Sequence, residues 1–237
     1  MLNQAKAFSA LLFLCGLWIF SSCETEDPGP LQEIQKEFPI VDFDRLEMGN
    51  ALNVRVEQSN TYSIEVKGDR RNVDELEVFK SGSTLIIKFE DDSNRKHETY
   101  ITITMPRLKS ANFSGASVTK VRGFESDEGL DFYLSGASVS QLDAGYREVN
   151  LVLSGSSTLL MFGSGDQIHA EISGASVLTA FDYAVREATI HVSGASSGKV
   201  TVTDELNAVA AGASSLLYRG DPSVTSDVSG ASTVQKD

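Results

Sequence analysis

Apolar and polar residues alternate along the second half of the chain, and each run of alternation ends in the same short phrase. The phrase reads Ser-Gly-Ala-Ser or a close variant of it. Its seven glycines are Gly115, Gly136, Gly155, Gly174, Gly194, Gly212 and Gly230. Successive glycines are separated by 21, 19, 19, 20, 18 and 18 residues. A repeat period near twenty residues is typical of stacked structural units.

The residues before each glycine predict a strand with one buried face. Positions two, four and six before the glycine are mostly apolar, as in Leu153, Leu151 and Val149. Positions three and five before it are mostly polar, as in Glu171 and His169. This alternation has the period of a β-strand that packs one side on a core. Apolar residues also recur three and six positions after the glycine, which predicts a second short strand in each repeat.

Because the same offsets recur in every repeat, like residues should stack in register. We therefore predict an all-β fold, a right-handed parallel β-helix or β-solenoid with one turn of about 20 residues per repeat. At about 3.3 Å per extended residue a turn traces about 65 Å, which suits a narrow prism of two or three sides. The alternative is an antiparallel meander or sandwich, in which the phrase would fall at alternate ends of the sheet.

The phrase itself has the residue types of a tight corner. Glycine permits positive φ and close backbone approach, alanine is small, and serine hydroxyls bond to backbone groups that leave the ladder. A row of hydroxyls offered to a glycan is the alternative interpretation. We favour structural corners at the seven glycines, because corner geometry alone requires these residue types.

The first 22 residues have the pattern of a secretory signal peptide. Lys6 supplies a positive charge, and the apolar run from Phe8 to Phe20 is short for a bilayer span. The run ends in Phe20-Ser21-Ser22-Cys23, which resembles a bacterial lipobox, although Phe20 replaces the usual leucine. Cys23 is therefore predicted to be lipidated. The alternative is an ordinary cleaved signal followed by an incidental cysteine.

The rest of the chain divides into three parts. Residues 23–37 predict a flexible tether, 38–108 a β-rich N-terminal cap, and 109–237 the repeat solenoid. The candidate cap strands are 52–57, 62–67, 76–79, 85–89 and 99–105. The cap should form irregular first turns or a small sheet, because an uncovered end exposes unpaired backbone groups. The other end should be blunted by Lys236 and Asp237 or covered by a partner, so an open solenoid end is a candidate for homo-oligomerisation.

Charge limits the partners. The chain has 20 basic and 33 acidic residues and a formal net charge of −13. Such a chain is unsuited to non-specific binding of nucleic acid or of an anionic membrane surface. We expect an exported protein that is held by its lipid at the cell envelope, at the outer membrane, on the periplasmic or the surface-exposed face.

The sequence gives little sign of catalysis. Glycoside hydrolysis needs two carboxylates roughly 5–10 Å apart, and the predicted outward columns place no two acids side by side. A phosphate-binding glycine loop, a nucleophile elbow and a metal-binding cysteine or histidine spacing are absent, and no cofactor is expected.

A small polar group is the one metal candidate. His169, Glu171 and His191 should share an outward face on adjacent turns, where imidazole and carboxylate groups can hold Zn²⁺. The alternative is a solvated polar stripe, since an exposed strand offers no supporting shell of hydrogen bonds. Separately, sugar stacking has four candidate aromatic residues, Tyr133, Tyr146, Tyr183 and Tyr218. The alternative for each is that its ring covers apolar surface.

Five segments carry a family resemblance. They are LNVRVEQ at 52–58, YSIEVKG at 62–68, LII at 85–87, ITITMPRL at 101–108 and LYRGDP at 217–222. With these segments the sequence resembles the head GIN domain family, the autotransporter adhesins of Bacteroidetes-type envelope lipoproteins, over about residues 40–235. The resemblance implies a β-helical domain at the cell envelope and transfers no catalytic or binding residue.

Together these observations predict a non-catalytic envelope lipoprotein that acts as a binding or adhesion module for a glycan or a surface protein. A polysaccharide-processing enzyme on the same scaffold and a purely structural envelope protein are the alternatives.

Overall fold

A computed structural model describes residues 29–91 and 95–237 of the chain. Strands dominate these residues, with one short helix near the N-terminal end. The N-terminal elements are β1 (Glu33–Glu37), β2 (Arg45–Met48), β3 (Leu52–Gln58), β4 (Ser63–Asp69), α1 (Arg70–Glu75), β5 (Leu76–Ser81), β6 (Thr84–Phe89), β7 (Thr99–Met105) and β8 (Ser110–Phe113). The repeats contain β9 (Val118–Leu134), β10 (Val139–Leu153), β11 (Thr158–Ser164), β12 (Gln167–Ile172), β13 (Val177–Val192), β14 (Ser197–Ala210), β15 (Ser215–Arg219), β16 (Ser223–Val228) and β17 (Thr233–Lys236).

The repeats wind in one direction and stack in register. All strand pairs from β9 to β17 are parallel. Leu151, for example, lies level with Phe132 of the preceding turn and with Ala170 of the next turn. The predicted parallel β-solenoid with turns of about twenty residues is confirmed, and the antiparallel alternative is wrong.

Each turn contributes to two sheets. We call the sheet before the Ser-Gly-Ala-Ser corner the pre-corner sheet and the sheet after it the post-corner sheet. In the repeats the pre-corner sheet contains β8, 130–134, 148–153, β12, 187–192, 205–210 and β16. The post-corner sheet contains 118–122, 139–145, β11, 177–180, 197–201, β15 and β17. The long strands pass from one sheet to the other at a second bend, where the register shifts, as between Asp143 and Ala144.

The inward residues of both sheets form one continuous core. The positions two, four and six before the corner glycines are buried from Leu130 through Ala210, as their alternation predicts. The cluster extends without a break into the N-terminal part and includes Leu46, Val56 and Ile87. The predicted division at residues 108 and 109 therefore does not separate two cores.

The N-terminal part adds further turns to the same solenoid. β2 and β3 pair in parallel with β8 and β9, and β6 and β7 stack on the outer side of β2 and β3. Asn50 occupies the corner of this early turn with a φ of 62°. Its carbonyl oxygen accepts a hydrogen bond of 3.1 Å from the amide of Ala116. Asparagine tolerates this left-handed conformation better than most residues, so it replaces the corner glycine.

Antiparallel strands and α1 cover the N-terminal end. β4 pairs antiparallel with β7, β1 with β4, and β5 with β6. Residues 33–37, the last part of the predicted tether of residues 23–37, instead form β1. They do so because the open edge of β4 gives their backbone a hydrogen-bonding partner. The predicted signal peptide, residues 1–22, and Cys23 lie outside the described residues.

Candidate functional site: the outer face of the pre-corner sheet

The outward side chains of the pre-corner sheet repeat with every turn and form one extended surface, which we call the polar face. One column along it contains Ser110, Asp131, Asn150, His169, Thr189, Asn207 and Thr225. A second column contains Asn112, Tyr133, Val152, Glu171, His191, Val209 and Asp227. A third contains Glu148, Gln167, Glu187, Glu205 and Ser223. Strand spacing places like positions about 4.8 Å apart along the axis.

Hydrogen bonds between side chains order this surface. The Asn150 Nδ2 atom donates to Asp131 Oδ1 across neighbouring turns at 3.0 Å. Gln167 Nε2 likewise donates to Glu187 Oε2 at 2.9 Å. Asn207 Nδ2 also donates to Glu205 Oε1, at 2.7 Å. Exposed carboxylate and amide atoms on this face can donate to or accept from a ligand.

The polar face carries negative charge. Its columns contain the carboxylates of Asp131, Glu148, Glu171, Glu187, Glu205 and Asp227, and none of the residues named for these columns is lysine or arginine. Glu187 and Glu205 lie directly opposite each other on neighbouring strands. Like charges in that position repel, and Arg186 Nη2, which lies 3.3 Å from Glu187 Oε1, offsets part of that repulsion.

The three metal-ligand candidates share this face but form no metal site. Glu171 and His191 are opposite each other in register, and His169 lies two residues before Glu171. His169 Nε2 instead approaches Glu148 Oε1, at 3.9 Å. Within residues 29–91 and 95–237, no group of three histidine, cysteine, aspartate or glutamate side chains is arranged to hold a metal ion.

The structure separates the four tyrosine candidates for sugar stacking. Tyr133 lies on the polar face with 38% of its surface exposed. Tyr146 and Tyr183 are buried, with 2% and 0% exposed, so sugar stacking is wrong for both and the alternative, that they cover apolar surface, is confirmed. Their rings fill the core beside the second bend, where the Tyr146 hydroxyl donates to the Leu108 carbonyl at 2.8 Å. This burial raises the pKa of Tyr183 to about 12. Tyr218 is only half-buried and packs against the core.

The outer face of the post-corner sheet carries both basic and acidic residues. Arg55 and Lys120 lie side by side on β3 and β9. Farther along, the Arg219 guanidinium stacks 3.9 Å from the centre of the Phe181 ring. Acidic residues share this face, because Arg122 lies level with Glu57 of β3 and with Asp143 of β10.

One groove beside a corner and another at the second bend were both missed by sequence reasoning. One, of about 510 Å³, lies beside the N-terminal cap and is lined by Asn50, Phe89, Arg95, His97 and Ala116, among others. The other, also about 510 Å³, lies at the second bend and is lined by Glu125, Asp127, Arg147 and Asp166, among others. Each groove combines residues that are far apart in sequence, so no local pattern predicts it.

These features define a class of protein. A capped β-solenoid offers long repeated faces for contact. A family model described as "putative auto-transporter adhesin, head GIN domain" matches residues 42–222, and the chain belongs to that family. The resemblance inferred from the sequence is thereby confirmed. Of the described helices, none has the length and apolarity that a membrane crossing requires.

Solved structures share the fold. A putative adhesin from Bacteroides fragilis has a TM-score of 0.76 at 18% identity, covering 87% of this chain and 97% of its own. A putative adhesin from Parabacteroides distasonis has a TM-score of 0.69 at 18% identity, covering 88% and 98%. A putative lipid binding protein from the same organism has a TM-score of 0.67 at 18% identity, covering 86% and 96%. No curated protein sequence is significantly similar to the chain.

Proposed function

We propose that the protein is a non-catalytic lipoprotein of the cell envelope whose polar face binds a glycan. The observation that carries this proposal is the column of Asp131, Asn150, His169 and Thr189 on consecutive turns. Carboxylates, amides and imidazoles are hydrogen-bonding partners for sugar hydroxyls. Their repetition along the axis suits an extended polymer better than a small compact molecule.

Tyr133 supplies the apolar part of this surface. It lies level with Val152 of the next turn, and both point outward beside Asp131 and Asn150. A tyrosine ring offers a flat apolar body with a polar tip, which suits the face of a sugar ring above a hydrogen-bonding platform. Glu148 and Asp131 add negative charge, so a neutral or amino-sugar polymer fits better than an acidic one.

Lipidation of Cys23 is the anchoring part of the proposal. Nine residues, 24–32, separate Cys23 from the start of β1. Nine extended residues reach at most about 30 Å. An acylated Cys23 would therefore hold the capped end of the solenoid near the membrane. Several acyl chains on one cysteine would give durable attachment, because a single chain binds only marginally.

The ligand is tested on a glycan array with the chain that begins at residue 24. Binding of a glycan without its cleavage is the expected result, and Tyr133→Ala should weaken it at least several-fold. Tyr100→Ala is the matched control, because Tyr100 is an exposed tyrosine of the other sheet. Cleavage of the bound glycan would indicate the polysaccharide-processing enzyme. If the chain neither binds nor cleaves any glycan on the array, the result would favour the purely structural role and overturn the proposal.

Binding to a panel of lipids should be tested in parallel with the glycan array, because one structural neighbour is named a lipid binding protein. Extraction of lipid by the chain from residue 24 would contradict a glycan-binding role for the polar face if Tyr133→Ala abolished it, whereas extraction that Tyr133→Ala leaves unchanged would place the lipid elsewhere.

The anchor is tested separately. Labelled palmitate should be incorporated into the full chain in a bacterial host and not into the Cys23→Ser variant. Proteolysis of intact cells then distinguishes the surface-exposed from the periplasmic face of the outer membrane. Equal labelling of both chains would refute acylation at Cys23 without affecting the glycan result.

A further inference from the structure

The last turn of the solenoid leaves inward-facing apolar residues uncovered. Val224 and Val228 of β16 are 39% and 44% exposed. The residues directly beneath them in β14, Leu206 and Ala210, are both 0% exposed. In the part of the chain that the structure describes, β16 pairs only with β14, and β17 only with β15.

The two ends of the solenoid differ in how their edges are protected. The edge strand β1 at the capped end carries Glu33, Lys36 and Glu37, and such charges discourage pairing with another strand. β16 is six residues long, with the sequence SVTSDV, and has one charged residue, Asp227. An edge of this length and composition is a template for strand addition.

The backbone geometry shows which groups of β16 are unpaired. The Ser229 amide donates to the Ala210 carbonyl at 2.9 Å. Backbone groups of a parallel strand alternate between its two neighbours, so the odd-numbered residues of β16 face β14. Val224, Ser226 and Val228 therefore turn their N–H and C=O groups to the open edge.

We propose that two copies of this chain associate through their β16 edges as an antiparallel pair, with the two-fold axis at Ser226. In this register Val224 of one copy lies opposite Val228 of its partner, and each backbone group named above gains a hydrogen-bonding partner. The inward side chains of both copies then lie on the same side of one continuous sheet.

Electrostatics and side-chain matching select this register. Asp227 lies opposite the uncharged Thr225 of the partner, whereas an axis at Asp227 would place two carboxylates directly opposite each other. An axis at Thr225 would pair valine with serine. The contact is isologous, because both copies use the same strand, so the assembly closes as a dimer and does not grow into a fibre.

The size of the end face indicates a weak dimer. Six extended residues span about 20 Å, and two sheets lie about 10 Å apart. The end face between the two sheets therefore covers roughly 200 Å² in each copy, well below the roughly 800 Å² per partner of a standard stable interface. Because buried area alone does not fix affinity, we expect only weak association, which sedimentation should detect at protein concentrations below about 1 mM.

Disulfide trapping tests the register. The sequence has 2 cysteines, Cys15 and Cys23, so the chain from residue 24 has none. Ser226→Cys places a single thiol on the axis, about 5.5 Å from its partner between Cα atoms, which a disulfide can bridge. Thr225→Cys is the control, because its two copies would lie roughly 8 Å apart on the outward side.

Mild oxidation should convert Ser226→Cys to covalent dimer at least ten times faster than Thr225→Cys. Sedimentation of the unmodified chain should show a monomer–dimer equilibrium, which Ser226→Pro abolishes by removing an edge N–H that β14 does not use. A chain that stays monomeric up to about 1 mM, or equal trapping at both cysteines, would overturn the proposal. These readouts are independent of the glycan and of lipidation.

Discussion

Arg71 binds both carboxylate oxygens of Asp69, with its Nε and Nη2 atoms 2.7 Å from Oδ1 and Oδ2. The same carboxylate accepts bonds from the backbone amides of Gln32, at 2.9 Å, and Arg71, at 3.0 Å. The Asp69 side chain is only 1% exposed. One buried carboxylate thus connects the segment before β1, the end of β4 and the start of α1, which together form the cap.

Neutralising Asp69 should loosen the cap. The hydrogen bonds from the Arg71 side chain hold the pKa of Asp69 well below its usual range. A lowered folded-state pKa stabilises the fold above the unfolded-state value, and this contribution is lost as pH falls through the folded-state pKa. We expect Asp69→Asn to lower the Tm by several degrees at pH 7, with the difference from wild type shrinking as the pH falls below about 4.

Asp74→Asn is the matched control for this experiment, because Asp74 is an exposed carboxylate on the same helix. Its Tm should follow that of wild type across the pH range. A pH-independent difference between wild type and Asp69→Asn would contradict the electrostatic account of the cap.

The corner glycines can be tested at Gly194. This residue has a φ of +76°, and a Cβ atom added to it would lie 2.6 Å from the carbonyl oxygen of Gly174. The close approach exists because that carbonyl accepts a 2.8 Å bond from the Ala195 amide. Gly194→Ala therefore adds a steric conflict with the turn beneath to the roughly 1–2 kcal/mol cost of left-handed backbone.

Gly82→Ala isolates the backbone cost. Gly82 has a φ of +60°, and an added Cβ would meet nothing within 4 Å. In urea unfolding we expect Gly194→Ala to lose at least about 2 kcal/mol more than Gly82→Ala. Equal losses would mean that the corner stack relaxes freely and that only the positive φ requires glycine.

The fourth residue of the Ser-Gly-Ala-Ser phrase, a serine, has a structural role that the third residue of the phrase does not share. Ser157 is buried, and its hydroxyl donates to the Ser154 carbonyl at 2.7 Å. Ser157→Ala leaves that carbonyl without this donor and should cost about 1 kcal/mol in urea unfolding. Ser156 is exposed, and most repeats have alanine at its position, so Ser156→Ala should be nearly neutral. A larger loss of stability for Ser156→Ala than for Ser157→Ala would contradict the structural role of the Ser157 hydroxyl.

The sequence predicted those parts of the fold that depend on local periodicity. Leu151 and Val149 could be assigned to the core because alternation of period two sets which side chains point inward. The five predicted cap strands begin and end within two residues of their predicted bounds, as for β7 at Thr99–Met105, whereas β2 and α1 were not predicted. The stacking of the turns could also be predicted, because apolar residues recur at the same distances from the corner glycine in every repeat.

Non-local arrangements could not be predicted in this way. Asn50 was missed as a corner because it is not part of a Ser-Gly-Ala-Ser phrase. β6 and β7 stack outside β2 and β3 although they come later in the chain, and no periodicity encodes that order. Tyr146 and Tyr183 were misassigned because the bulged register at the second bend decides which side faces inward.

The effect of burial on stability can be tested with two valines that occupy equivalent positions in different turns of the solenoid. Val192 and Val228 occupy the same inward position, two residues before their corner glycines, and are separated by two turns. Val192 is 1% exposed and Val228 is 44% exposed. Deleting two methyl groups from a packed site costs about 0.8 kcal/mol for each, plus a term for the cavity.

We therefore expect Val192→Ala to lose about 2 kcal/mol in urea unfolding. Val228→Ala should lose less than about 0.5 kcal/mol at protein concentrations well below the dissociation constant of the dimer. Because association buries Val228, its loss should increase as the protein is concentrated, whereas the loss at Val192 should stay constant. A large, concentration-independent loss at Val228 would mean that this residue is already covered in the monomer.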